Sequence, residues 1–346
     1  MITTPLPVFS DGRSPQDQVL MMLTGKWVSQ ILHVLARLGV ADLLADGPRT
    51  PADLAAATDT DERSLYRFLR AAASLGVFAE RPDGGFELTP TAEYLRSDVP
   101  GTMRYMAMFW GEAASWGCYR HVMDTVRTGE PIADKELGGR SWFEYLEQNP
   151  GTAETFHRAM TSVNWRAAEI ADRFDFGAFG RIADIGGGQG RLLASILRKN
   201  PGVQGILFDL PTAIDGAQPV LKEEGVADRV ECVRGDFFGP VPEADAYLLR
   251  AILHDWDDEK SVLILRRIRE AIGTNADARV LIIEAVLPPL NEWHYSKLMD
   301  VDMMVCLGGG ERTRDEWGRL LATAGFELAG VTDGVPPHSI VEARPV

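Results

Sequence analysis

The run Asp184-Ile185-Gly186-Gly187-Gly188-Gln189-Gly190 constrains this chain more than any other stretch. It closes a hydrophobic strand at 181–185 and opens a helix near Gly190, so main chain approaches a ligand where side chains would obstruct it. Short apolar runs at 203–208, 229–233, 244–249 and 280–284 follow, with helices beginning near Gly190, Thr212 and Asp257. That alternation predicts an α/β fold, Rossmann-like, with a mostly parallel sheet covered on both faces. Two last strands, at 326–331 and 338–343, flank Gly334-Val335-Pro336-Pro337 and suit an antiparallel hairpin at the sheet end.

The glycine turn departs from the dinucleotide fingerprint, because Arg191 stands where a third glycine belongs, which disfavours a nicotinamide enzyme. A carboxylate at the strand end, Asp184, sits badly beside a pyrophosphate and well beside a ligand bearing a sulfonium and an amino group. S-adenosylmethionine has both. Asp209 ends the next strand, where a carboxylate can accept hydrogen bonds from ribose hydroxyls. Asp236 and Phe237 follow the third strand and offer an acceptor and an aromatic face to an adenine.

Upstream the texture is helical. The first residues, through Ser14, read as a mobile arm, and 16–38 reads as one amphipathic helix through Leu20, Leu23, Trp27, Ile31, Val34, Leu35 and Leu38. Its apolar face needs a partner surface, in its own domain or on a second subunit. Residues 50–88 then spell helix, turn, helix and hairpin, a winged-helix-like unit. A DNA reader should carry a basic face, yet residues 1–100 hold nine basic and thirteen acidic side chains and the chain's net charge is −15. The charge opposes nucleic acid and anionic membrane alike. No apolar run comes near the length of a spanning helix, there is no export signal, and Cys118, Cys232 and Cys306 lack any disulfide or zinc spacing, so a cytoplasmic protein is expected. The division expected is a dimerisation domain at 1–100, pocket helices at 101–175 and a cofactor-binding domain at 176–346.

With Leu253-His254-Asp255-Trp256-Asp257-Asp258 and Gly308-Gly309-Gly310-Glu311-Arg312-Thr313 added to these stretches, the sequence resembles the class I S-adenosylmethionine-dependent O-methyltransferases. The resemblance is to the group of plant caffeate-type and bacterial natural-product enzymes, carminomycin and mitomycin types among them, and covers nearly the whole chain. It implies that Asp184, Gly186 and Gly188 hold the methionine end, Asp209 with Leu210 the ribose, and Asp236 with Phe237 the adenine. Arg250 stands where plant members often have a lysine near the cofactor, and Trp256 follows the active-site His-Asp pair. It also implies a homodimer formed through the N-terminal domain.

Methyl transfer to oxygen is an in-line displacement that depends on alignment and on a base within reach of the acceptor hydroxyl. Of six histidines, His254 is the best placed, with Asp255 beside it and an ordinary imidazole pKa expected. In the family Glu284 and Glu311 flank and orient the ring, which fixes its tautomer. A metal is not expected: Asp257-Asp258 read as a helix cap, and no second histidine or cysteine stands at ligand spacing. The acceptor expected is a small phenolic or polyketide-derived aromatic, in a pocket drawn from Met103, Met106, Trp110, Trp142, Phe156, Met160, Asn164, Asp302, Met303 and Met304. The alternatives are a hydroxylase/decarboxylase of the anthracycline type with bound S-adenosylmethionine, or an N-methyltransferase.

Overall fold

The computed structural model describes residues 14–163 and 166–346, in two compact units. The first comprises 14–123 and 132–163, the second 124–131 and 166–346. The expected N-terminal arm lies outside the described residues apart from Ser14, and Asn164 lies outside them as well.

In the first unit the helix expected over 16–38 is broken in two, α1 (Pro15–Leu23) and α2 (Gly25–Arg37). The joint has a local cause: the Thr24 hydroxyl donates to the Met21 carbonyl at 2.6 Å, in competition with the helical ladder, and Gly25 follows with no side chain to stiffen the turn. Together they correct a second expectation, since by length and composition the 23 residues from Pro15 to Arg37 could cross a membrane. The apolar side chains are interrupted by so few charges that the average stays high although no run is unbroken. Val19, Leu20, Met22, Leu23 and Trp27 are more than half exposed.

Helices α3 (Pro51–Thr58) and α4 (Glu62–Ser74) and strands β1 (Phe78–Glu80) and β2 (Phe86–Leu88) form the helix, turn, helix and hairpin of the sequence reading. Thr50 and Asp53 close a reciprocal cap on α3, and Asp61 caps α4 through the Ser64 amide. Leu54, Leu65, Leu69, Phe78 and Phe86 fill the small core between them. Further on, Phe109 of α5 (Arg104–Gly111), Trp142 of α6 (Trp142–Gln148) and Phe156 of α7 (Pro150–Val163) meet edge to face, with ring centroids 5.3–6.4 Å apart.

The second unit is built on a seven-stranded sheet of β3 (Arg181–Ile185), β4 (Gln204–Asp209), β5 (Val230–Arg234), β6 (Ala246–Arg250), β7 (Arg279–Glu284), β8 (Phe326–Thr332) and β9 (Ser339–Pro345). The spatial order is β8-β9-β7-β6-β3-β4-β5. The five inner and far strands run parallel, and β9 lies antiparallel between β7 and β8. Side chains alternate between faces: Ala183 and Ile185 meet the layer of α9 (Asp258–Ile272) and α11 (Arg314–Thr323), while Ile182 meets that of α8 (Arg191–Lys199). Each fully buried Leu or Ile there contributes roughly 1.5–3 kcal/mol. Helix α10 (Ser296–Cys306) precedes the glycine-rich loop 307–311. Strand order reverses between β3 and β6, which puts a ligand crevice at their carboxyl ends.

Candidate active site

The Asp184 side chain points back under its own glycine turn: a Cβ on Gly187 would stand 2.6 Å from the Asp184 carboxyl carbon, so only glycine allows this packing. Gly186, Gly188 and Gly190 all take positive φ, and a Cβ on Gly188 would meet nothing within 4 Å, which leaves open room over the turn. Asp209 is fixed at the end of β4, accepting from the Gly188 amide at 2.7 Å and the Leu210 amide at 2.6 Å. The Leu210 side chain is half exposed. Asp236 accepts from the Phe238 amide at 2.9 Å in the turn after β5. There Phe237 meets Trp256 edge to face at 6.1 Å, with Phe238 completing the aromatic cluster and Lys260 lying 5.3 Å over the Trp256 ring.

These residues suit S-adenosylmethionine on one physical ground above others. Asp184 is buried, its Oδ2 has no hydrogen-bond partner among the described residues, and burial together with the nearby Asp209 carboxylate pushes its pKa up to about 7 against the pull of Arg250. A buried carboxylate in that position asks for a cation. Arg250, at the end of β6, is itself lowered to about 10 by burial, with Asp184 opposing.

Beyond β6 the chain makes a strained turn, with Ala251 at φ +51°, and delivers His254. His254 Nδ1 lies 3.0 Å from Glu311 Oε1, and Nε2 lies 3.4 Å from Asp255 Oδ1. Burial alone would discharge the ring, but the carboxylates of Asp255, Glu311 and Glu284 outweigh it and raise its pKa to about 10. The expected ordinary imidazole pKa is therefore corrected: both ring nitrogens face carboxylates. Burial in turn pushes Asp255 up to about 6, with His254 opposing.

Glu284 is placed differently from the expectation. Its Oε1 accepts from the Ile252 and Leu253 amides at 3.0 and 2.7 Å, so it holds the main chain that carries His254, while Glu311 alone of the two hydrogen-bonds the ring. Four residues without an assigned role do the remaining positioning. Arg312, almost fully buried, donates to the Leu253 and Trp256 carbonyls at 3.1 Å and pairs with Asp258 at 2.9 Å. Asp300 accepts from the Glu311 amide at 2.8 Å. Gly309 packs its main chain on that of His254, and the Gly310 amide donates to the His254 carbonyl at 2.9 Å. The run of three glycines before Glu311 was the available signal. Asp257 caps α9 through the Lys260 amide, as its sequence context indicated.

The expected pocket residues divide. Met106, Trp142 and Met303 are buried; Trp110, Phe156, Met160, Asp302 and Met304 are half-buried, and Met103 is exposed.

Residues 119–327 match the O-methyltransferase domain family, and 20–98 match the O-methyltransferase dimerisation domain. The phenazine O-methyltransferase of Lysobacter antibioticus is 43% identical over 97% of this chain and 98% of its own length. The 8-amino-8-demethylriboflavin N,N-dimethyltransferase of Streptomyces davaonensis is 40% identical over 92% of each. Among solved structures, the methyltransferase of calicheamicin biosynthesis, in its form bound to S-adenosylhomocysteine, superposes with a TM-score of 0.83 at 36% identity, covering 96% of this chain and all of that one. The chain belongs to the O-methyltransferase family, the enzymes that draw their methyl group from S-adenosylmethionine.

Proposed function

We propose that the protein methylates a hydroxyl of a planar, fused-ring aromatic molecule, with His254 and Asp255 together taking the acceptor's proton. The observation that carries this reading is the His254 to Glu311 contact of 3.0 Å, set at the end of β6 beside the glycine turn. Phenazine and flavin are the ring systems named for two close relatives, and both are flat and tricyclic. One of those relatives works on nitrogen, where a neutral amine needs no base; a buried histidine oriented by a carboxylate favours a hydroxyl.

The cofactor supplies an electrophilic methyl on a positively charged sulfur. Asp184, Gly186 and Gly188 would hold its methionine end, Asp209 and Leu210 its ribose, Asp236 with Phe237 and Trp256 its adenine, and Arg250 would balance Asp184 beneath. The protein's own residues then manage one proton. Glu311 keeps Nδ1 protonated and the ring in place. The Nε2 proton passes to Asp255, 3.4 Å away, and the neutral ring then accepts the proton of an entering hydroxyl at Nε2 as the oxygen gains its methyl group. Burial raises the Asp255 carboxyl to about 6, so it takes a proton more readily than an ordinary carboxylate. Asp302 and Met304, on the helix before the Glu311 loop, are the residues of this unit we assign to acceptor contact.

The division of labour follows the sequence reading: 1–100 for dimerisation, 101–175 for the pocket helices, 176–346 for catalysis, in a cytoplasmic homodimer. The exposed apolar face of α1 and α2 and the dimerisation-domain match support pairing through the N-terminal region. The net charge of −15 argues against nucleic acid or an anionic membrane as partner.

The test is calorimetric titration with S-adenosylhomocysteine of the native protein and of Asp209→Ala, followed by transfer of labelled methyl to 1-hydroxyphenazine. Binding that the substitution weakens at least tenfold, and label on oxygen, are expected. A folded native protein that does not bind the cofactor product sinks the assignment.

A further inference from the structure

His338 has no part in the chemistry above, yet the sheet places it at the same edge. It directly precedes β9, whose first residue Ser339 pairs with Glu284 at the end of β7, and β7 pairs Ile283 with Arg250 at the end of β6. Running outward from the cofactor strands, the order is β3, β6, β7, β9. At about 4.8 Å per strand, His338 stands on the order of 14 Å from the β3 end that carries the glycine turn. His254, at the β6 end, stands between them. On that order an acceptor that meets His254 is nearer to His338 than the cofactor turn on β3 is.

The position is built. The His338 amide donates to the Val335 carbonyl at 3.0 Å, and Val335 is buried in the sheet core. Gly334 passes so close that a Cβ there would stand 2.5 Å from the His338 carbonyl oxygen. Arg166, itself paired with Glu169, donates to the Pro336 carbonyl at 3.1 Å. On this anchored turn the half-buried imidazole has no hydrogen-bond partner among the described residues. Its charged and titratable surroundings are Arg250 from β6, His254 from the following turn and His294 from the segment before α10. Burial first, then these three groups, hold the ring neutral, down to about 3. A neutral imidazole offers one donor and one acceptor, and leaving both unfilled in a half-buried site is costly.

We propose that His338 is a specificity-determining residue that donates a hydrogen bond to a second oxygen substituent, carboxylate or carbonyl, on the acceptor's ring system remote from the methylated hydroxyl. The positive surroundings select an oxygen with negative or partial negative charge. The inference rests on the reading of His254 as the group that meets the acceptor hydroxyl.

Two probes that differ in the remote group test it: 6-hydroxyphenazine-1-carboxylate and 1-hydroxyphenazine, with native protein, His338→Ala and His338→Gln. For the carboxylated probe His338→Ala should raise KM tenfold or more with kcat changed less than threefold, and His338→Gln should recover part of the loss. For 1-hydroxyphenazine KM should move less than threefold, and S-adenosylhomocysteine should bind all three proteins alike. Equal losses on both probes, no loss on either, or weakened cofactor binding overturns the proposal. A second readout needs no turnover. In the native complex with S-adenosylhomocysteine the His338 C2–H resonance should not titrate above pH 5; titration near 6.5 overturns the assignment even where neither probe is methylated, an outcome that would count separately against the acceptor class.

Discussion

The main chain of Gly309 rests on the carbonyl of His254 so closely that a Cβ at Gly309 would stand 2.0 Å from that oxygen and 2.7 Å from the Trp256 nitrogen. Both neighbours are main chain and cannot swing aside. This contact sets the height of the glycine-rich loop over the His254 turn, and with it the reach of Glu311 to Nδ1.

Gly309→Ala should therefore separate Glu311 from His254 without touching the cofactor turn, which lies on β3. Methyl transfer should fall roughly a hundredfold, the scale of losing a preorganised catalytic contact, while the affinity for S-adenosylhomocysteine should fall far less, because of the residues assigned to it only Trp256 adjoins Gly309. Unchanged turnover would show that the loop adapts and that the contact carries no catalytic weight.

Glu311→Gln removes a carboxylate from the ring's surroundings while keeping its shape. The His254 pKa, raised to about 10, should move down towards its ordinary value near 6.5. A raised imidazole pKa contributes stability in full below the unfolded value and loses it as pH rises through the folded one. The native protein should thus exceed the variant in Tm by its largest margin near pH 6, and the margin should close towards pH 10. A margin that is constant or grows with pH contradicts the charge assignment.

Much of this site was legible in the sequence, for a physical reason: strand ends in a parallel sheet converge, so Asp184, Asp209, Asp236 and His254 could be placed together from hydrophobic runs alone. What escaped was mediated by main chain. Glu284 reads as a partner for the ring, but a buried strand-end carboxylate can equally satisfy two amides, and the sequence does not distinguish the two. Arg312 is held to the His254 turn and to its own loop through three carbonyls, which carry no residue signature. The break at Thr24 was hidden because an apolar period of three and four continues across it.

Asp184→Asn tests the cofactor site from the other side. Burial and the Asp209 carboxylate raise the Asp184 pKa to about 7, so ionisation weakens the ligand-free fold as pH rises from about 4 through 7. At pH 4 and below the protonated acid and the amide should melt alike, whereas at pH 8 the variant should melt higher, by an amount worth up to a few kcal/mol. Its affinity for S-adenosylmethionine should fall at both pH values, since the cation loses its counter-charge. A variant less stable than the native protein at pH 8 would mean that Asp184 is already satisfied without a ligand.

The last expectation concerns α1 and α2. Leu23 is 67% and Trp27 60% exposed, with Val19, Leu20 and Met22 beside them in sequence. Capping by Ser14 and the acidic Asp17 in the first turn stabilise α1 from its own end, so the helix does not need that apolar surface for its local structure. A surface of this kind that stays in water marks a partner, and a family match to a dimerisation domain begins at residue 20. Leu23→Asp with Trp27→Glu places charge where a second chain would have to desolvate it, a cost of several kcal/mol for an unpaired ion. Sedimentation at micromolar concentration should show a native dimer and a monomeric variant with the same far-UV circular dichroism. A variant that remains dimeric would assign the contact to another surface of the chain.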